Sequence, residues 1–436
     1  MTMHALRAWP RTWPRTWPLL ALLPILWAGP AAAADPPAEP ASDLDALDLA
    51  DKAPEAAPTA AAARSWRLFV EGAAGGGRLR GDGNFTLYRG SVDFRFDDQL
   101  LPQLRFVFSD RLDGVNSDGV PPGDNVNTLR ELFVSWQADA HTALDLGRVN
   151  IRNGVAMGYN PTDWFRADAL RMVVTPDPVV LRENRQGTVV IQGQKLWDRA
   201  SLSAAFSPRL ARTPDEATFA LNAGATNPEN RYLVAGSYKF SDSFTPQLLV
   251  YGGADIGPQA GLNLSGLLGD AVVVFAEGAV GRGLPLVAQA LALDVAQSWQ
   301  QRAAVGLTYT TPFKLSLTAE AEYNSAAPFG NDWSALSPGV QQQVLATSQA
   351  LQDLPTRSQW FLYAHWPDVI VPRLTLSGFW RQDMQTSSWA GWLEARYAWP
   401  RFDLALQWQG FGGSPGTVYY GVPQRQALQG VLRVYF

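Results

Sequence analysis

The chain has 436 residues, with 35 basic and 40 acidic side chains, a formal net charge of −5, 47% hydrophobic residues and no cysteine. Without cysteine there is no disulfide and no thiolate metal site. The acidic balance excludes a nucleic-acid partner bound through its phosphates.

Residues 1–34 read as a secretory signal peptide. Arg7, Arg11 and Arg15 come without any acid, the apolar run 19–27 follows, and Ala32-Ala33-Ala34 before Asp35 forms an A-x-A type cleavage site. The run is bounded by Pro18, broken by Pro24 and shorter than the roughly 20 residues that cross a bilayer as a helix, so cleavage is expected rather than anchoring. Losing three arginines moves the formal charge to about −8. Residues 35–64 are rich in Ala and Pro and carry seven acids against Lys52 and Arg64. Such a segment buries little and is expected to be a flexible periplasmic tail.

From 65 to 436 the pattern has period two. Val92, Phe94 and Phe96 alternate with Asp93 and Arg95. Leu315, Leu317, Ala319, Ala321 and Tyr323 alternate with Lys314, Ser316, Thr318, Glu320 and Glu322, and Phe402, Leu404, Leu406 and Trp408 with Asp403, Ala405, Gln407 and Gln409. These are strands with one apolar and one polar face. Soluble sandwiches alternate too, but here the strands run about ten residues, the length of a tilted membrane-crossing strand. Tight turns such as "DDQLLP", "ADAH", "SDS", "GD" and "WPR" also interleave with long polar loops at 111–126, 152–184, 209–229, 281–299, 325–356 and 412–425. Short turns on one side and long loops on the other are the plan of an outer-membrane barrel. The 17 Trp and 12 Tyr suit the aromatic belts at its two interfaces.

The expectation is an all-β fold, a transmembrane antiparallel up-and-down β-barrel of about 18 strands with 16 as the alternative, in the bacterial outer membrane. Segments near 217–224 and 260–268 carry the weakest strand patterns. The last strand sets Leu428, Leu432, Val434 and Phe436 on one face, against Gln429, Arg433 and Tyr435. An apolar final strand ending in phenylalanine resembles the signal read by the outer-membrane assembly machinery, which the resemblance implies as a partner through Phe436.

The stretch "GRVNIRNGVAMGYNPTDWFR", residues 147–166, ends the fifth strand and opens the third outer loop, 152–184, which is 33 residues long. Loops of that length are usually functional or disordered. Trp164, Phe165, Leu170, Met172, Val173, Val174, Val179, Val180 and Leu181 make this one too apolar for water, so it is expected to fold inward. Gly154 and Gly158 permit tight bends, Asn160-Pro161 sets a turn, and Thr162 or Asp163 caps a short helix from Trp164. Arg148, Arg152, Arg166 and Arg171, with Arg182 and Arg185, would line or brace a constriction against Asp163, Asp168, Asp177 and Glu183. The string resembles a GR-x-N…G-x-NPTD segment of porin-like bacterial outer-membrane proteins, a resemblance that supports the barrel and names no solute. In loop 325–356, Ser337-Pro338 reads as a helix start, with Val340, Val344 and Leu351 as its apolar stripe.

With the apolar faces on lipid, the lumen receives Arg89, Asp93, Arg95, Arg105, Glu320, Glu322, Glu394, Arg396, Asp403 and Arg433. Arginines dominate the early strands and acids the later ones, so a basic wall is expected opposite an acidic one. No enzyme is expected, because His141 and His365 of the mature chain lie near periplasmic turns and no nucleophile motif accompanies the carboxylates. Two separated histidines make no zinc site, and no cofactor is expected. The reading is a channel for passive passage of small hydrophilic solutes, constricted by loop 152–184. An export or assembly barrel gated by a periplasmic protein partner, touching residues 35–64, is the alternative, and a plugged surface-binding barrel is a third.

Overall fold

The computed structural model describes residues 64–81, 83–118 and 125–436. The signal peptide and the acidic segment up to residue 63 lie outside the described residues.

The described residues form eighteen strands. They are β1 (Trp66–Leu79), β2 (Asn84–Leu101), β3 (Leu104–Asp118), β4 (Asn125–Asp139), β5 (Thr142–Val149), β6 (Thr188–Trp197), β7 (Ala200–Ser207), β8 (Arg231–Tyr238) and β9 (Gln247–Gly253). The second half continues with β10 (Gln259–Leu268), β11 (Val272–Gly283), β12 (Ser298–Thr310), β13 (Ser316–Asn324), β14 (Ser358–Trp366), β15 (Leu374–Asp383), β16 (Trp389–Ala398), β17 (Phe402–Gly412) and β18 (Gln424–Tyr435). Every strand pairs antiparallel with its sequence neighbours, and β1 pairs with β18, where Gly72 lies opposite Leu432. The sheet therefore closes on itself, which lets strand backbone groups pair inside the protein, the condition for crossing hydrocarbon.

The alternation in the sequence becomes two faces of this wall. Val70, Val92, Leu146, Leu262, Val305, Leu317, Leu362, Leu404, Leu406, Leu428 and Leu432 are exposed, while Glu71, Asp93, Asp145, Glu320, Phe361, Asp403 and Ala405, each next to one of them or one step along, are buried. Exposed aromatic residues gather at two levels of the outer face. Trp66, Trp136, Trp197, Tyr238, Tyr309, Phe402 and Phe436 lie at the short-turn end, and Tyr88, Tyr232, Trp299, Tyr323, Trp360 and Trp380 at the long-loop end. An apolar band between two aromatic girdles is the outer surface of an outer-membrane barrel. No helix among the described residues is long and apolar enough to cross a membrane; the crossing is made by strands.

Three expectations change. Residues 111–118, read as loop, continue β3, and only 119–124 separate it from β4, outside the described residues. The pattern near 217–224 belongs to the β7–β8 loop, with a one-turn helix at Ala223–Thr226, whereas 260–268 is strand β10. Most of "DDQLLP" belongs to β2, which runs to Leu101.

Beside β5 the wall has a gap. This strand is only eight residues long, so the outer part of β4 has no strand beside it. Loops fill the gap: Gly187 N–H donates to Arg130 O at 2.8 Å and Asn127 N–H to Thr218 O at 2.9 Å.

Candidate functional site

The inner face of β1 to β4 and β18 carries an ion-pair lattice. Glu71 on β1 accepts from Arg89 at 2.6 Å, Arg433 at 2.7 Å and Arg111 at 3.3 Å. Asp93 accepts from Arg130 at 2.6 Å and lies 3.5 Å from Arg111, whose Nε is 3.0 Å from Asp113. Arg95 joins Glu131 at 2.5 Å and Asp97 at 2.9 Å, and Asp97 also takes Arg105 at 2.6 Å. A bulge in β4 opposite Ser109/Asp110 brings this about, because it sets consecutive Arg130 and Glu131 both inward. On the neighbouring strands β16 and β17, Arg396 bridges Glu394 at 2.8 Å and Asp403 at 3.3 Å. The expected basic wall is therefore neutralised by its own acids. Glu71, Arg111, Asp113, Arg130 and Glu131 went unread because pairing across strands is invisible along one strand.

Glu277 and Glu320 do different work: they hold the third outer loop, L3 (residues 150–187). Glu277 on β11 accepts from the backbone N–H of Val155 at 2.9 Å, Ala156 at 3.2 Å and Thr162 at 2.8 Å, and from the Thr162 hydroxyl at 2.8 Å. Glu320 on β13 accepts from Met157 N–H at 2.5 Å and Gly158 N–H at 2.9 Å. Arg381 on β15 donates to Gly158 O at 2.6 Å and sits 3.7 Å from Glu322. The N–H donors satisfy the oxygens of these buried carboxyl groups, which would otherwise be stranded away from water. Gly154 has φ +97°, and a Cβ there would enter the Glu277 carboxylate. Gly158 serves close approach rather than a bend, since a Cβ would overlap Glu322 and Phe361.

The next residues turn back across the lumen. Trp164 stacks on Tyr251 with ring centroids 5.0 Å apart and donates to Gln259 at 2.7 Å, while Phe165 meets Tyr251 edge-on. Trp164–Arg166 is a single 3₁₀ turn whose N-cap, Asp163, makes no side-chain cap bond. The Asp163 carboxylate instead binds Arg185, and the Thr162 hydroxyl is spent on Glu277 and Asn263. The helix with a side-chain cap lies later, at Pro178–Glu183, where Asp177 accepts from Val179 N–H at 3.0 Å. Opposite contacts hold this part: Arg89 donates to Val174 O at 3.0 Å and Arg130 to Asn184 at 3.1 Å. L3 thus reaches inner-face residues of both the early and the late strands.

The other expected loop residues have varied partners. Arg148 donates to Gly187 O and Leu221 O. Arg171 points away to the β7–β8 loop, where four carbonyls, including those of Thr218 and Ala217, take its guanidinium together with Asn127 O of β4. Arg152 is exposed. Arg166 stacks over Tyr159 at 5.1 Å and lies 3.8 Å from Asp353 of the β13–β14 loop, L7 (residues 325–357). Asp168 has φ +56°, its N–H donates to Ala350 O at 2.8 Å, and burial raises its carboxyl above the usual range. Asp353 is a hub that the sequence did not reveal, taking Tyr159 at 2.5 Å, Asn324 at 2.9 Å and Arg302 at 3.3 Å. The L7 helix, Pro338–Leu351, begins at Ser337 with Pro at its first turn, though Ser337 makes no side-chain cap bond. Its Val344 and Leu345 pack with Trp333 of the same loop and with Leu286 and Tyr419 from other outer loops.

Neither a protein-family model nor a curated protein sequence matches the chain. Among solved structures, OccAB1 of Acinetobacter baumannii aligns with TM-score 0.55 at 10% identity over 85% of this chain and 96% of that one. OpdQ of Pseudomonas aeruginosa aligns with TM-score 0.52 at 10% identity over 86% and 99%, and OccK5 (OpdH) of the same organism with 0.52 at 11% over 85% and 96%. The fold is that of a porin-like outer-membrane barrel. At these identities the likeness carries the fold and names no solute. Within this porin-like barrel, the residues of the GR-x-N…G-x-NPTD string are the ones that dock L3: Asn150 donates to Arg182 O, Asn160 to Ala156 O, and Thr162 to Glu277.

Proposed function

We propose that the protein is a channel for passive passage of small hydrophilic solutes, narrowed by L3 over residues 152–184. The observation that carries this is the tethering of one loop to inner-face residues of opposite strands, with Glu277 and Glu320 at one side and Arg89 and Arg130 at the other. Backbone tied at both sides of a lumen sets a fixed aperture. The neighbouring charges are largely paired, so weak ion selectivity is expected, with Asp177, Glu183, Glu394 and Arg396 near the crossing segment tuning it. The lipid-facing Phe436 at the end of β18 supports the last strand as the assembly signal.

Liposome swelling with the refolded mature protein tests the reading. Monosaccharides and neutral amino acids are expected to enter, and a trisaccharide to be excluded. No swelling at any solute size would contradict it.

A further inference from the structure

Above the apolar band, between the outer ends of β1, β16, β17 and β18, lies a cavity of about 440 Å³ bordered by Arg80, Trp389, Trp408, Tyr420, Arg425 and Gln426. It opens on the outer rather than the lumen side. Trp389 and Trp408 share a face with the exposed Leu393, Leu404 and Leu406, because Leu393 pairs with Trp408 and Trp389 pairs with Gly412. Gly410 and Gly412 have no side chain, so the two indoles lie over the strand backbone; a Cβ at either glycine would overlap the ring. Trp380 stacks on Trp389 with centroids 4.3 Å apart, extending the aromatic surface along the outer girdle.

The polar rim of the cavity consists of donors. Arg80 is held in place by Val422 O at 3.1 Å, Phe411 O at 2.9 Å and Tyr419 O at 3.1 Å, and its guanidinium lies 4.2 Å from the Tyr420 ring centre. Partial burial lowers the pKa of Arg80, and the charge of Arg425 adds to this against an opposing effect of Tyr420. The two cations therefore sense each other, yet no acid among the described residues lines the cavity. Arg425 and Gln426 are exposed. Elsewhere in this protein, clustered arginines come with carboxylates between them, as Arg89, Arg111 and Arg433 share Glu71.

We propose that this cavity takes the phosphorylated sugar headgroup of an outer-leaflet glycolipid, the phosphate between Arg80 and Arg425 and a sugar ring against the indoles. Arg80 spends Nε and Nη2 on carbonyls and adds its charge, while the exposed Arg425 supplies the guanidinium fork that suits phosphate oxygens. A flat indole with one face on backbone offers its other face to the C–H groups of a sugar, and its level in the girdle lets the acyl chains run down over Leu393 and Leu406. The inference needs the outer-membrane placement only and is independent of whether the lumen conducts.

Native mass spectrometry of the folded barrel, in micelles doped with bis-phosphorylated lipid A, tests it. One lipid A per barrel should be retained in preference to its dephosphorylated form and to phosphatidylglycerol. Retention should fall at least tenfold in Arg425→Glu and in Trp408→Leu, both exposed or half-exposed positions, with the heat-induced gel shift of the barrel unchanged. Equal retention of phosphatidylglycerol, displacement by inorganic phosphate alone, or wild-type retention in both variants would overturn the proposal.

Discussion

Glu277 and Asp177 show how single carboxyl groups set the lumen. Glu277 is buried and satisfies four donors of L3. A hydrogen bond contributes about 0.5–1.5 kcal/mol net, and Glu277→Gln turns an amide NH₂ toward N–H groups. A loss of roughly 3 kcal/mol of docking is expected, read as about hundredfold faster hydrogen exchange of the 150–165 backbone with the strands unchanged. Asp177 is half-buried in the crossing segment. Burial, with the negative charges of Glu394 and Glu183, pushes its carboxyl up to about 7, against the Val179 N–H that favours the anion. It is therefore neutral at pH 5.5 and charged at pH 8.5, and the lumen gains one negative charge over that interval. Reversal potentials should shift toward cations as pH rises through 7, and Asp177→Asn should remove the shift. The inward turn of L3 was legible in its apolar side chains: Trp164 and Phe165 are buried against Tyr251, although Val173 stays exposed. Its anchors were not: Glu277 stands more than a hundred residues from Thr162, and only its isolation in the apolar run "VVVFAEGAVG" marked it.

At the scale of strands, the closure of the barrel depends on the seam between β1 and β18. Glu71 lies opposite Arg433 in the register and also serves Arg89 and Arg111. Breaking a buried pair by removing one partner costs about 3–5 kcal/mol, because the remaining charge is stranded. Glu71→Ala leaves three arginines with a shared partner missing. The temperature at which the barrel loses its compact gel mobility should drop by several degrees, whereas Glu131→Ala, away from the seam, should cost less. The strands themselves were legible in the sequence, since a wall with lipid on one face and a polar interior on the other imposes period two from Val92 to Phe436. Strand ends were not. Residues 111–118 alternate in polarity around Gly114 and Asn116, which reads as loop until Asp113 is seen to meet Arg111 inside the barrel.

The whole molecule joins a closed wall, self-neutralised charge on its early strands and a loop tied across the lumen. On the proposed function, this loop sets the aperture while the wall stands without it. Single-channel recording in a planar bilayer, comparing the wild type with Glu277→Ala/Glu320→Ala, tests that claim most directly. The double variant removes the acceptors for five backbone N–H groups of L3 and leaves the β1–β18 seam intact. Steady, weakly selective steps are expected for the wild type, and larger, noisier steps for the variant. Equal conductance in both, or silence in both from heat-resistant barrels, would contradict it.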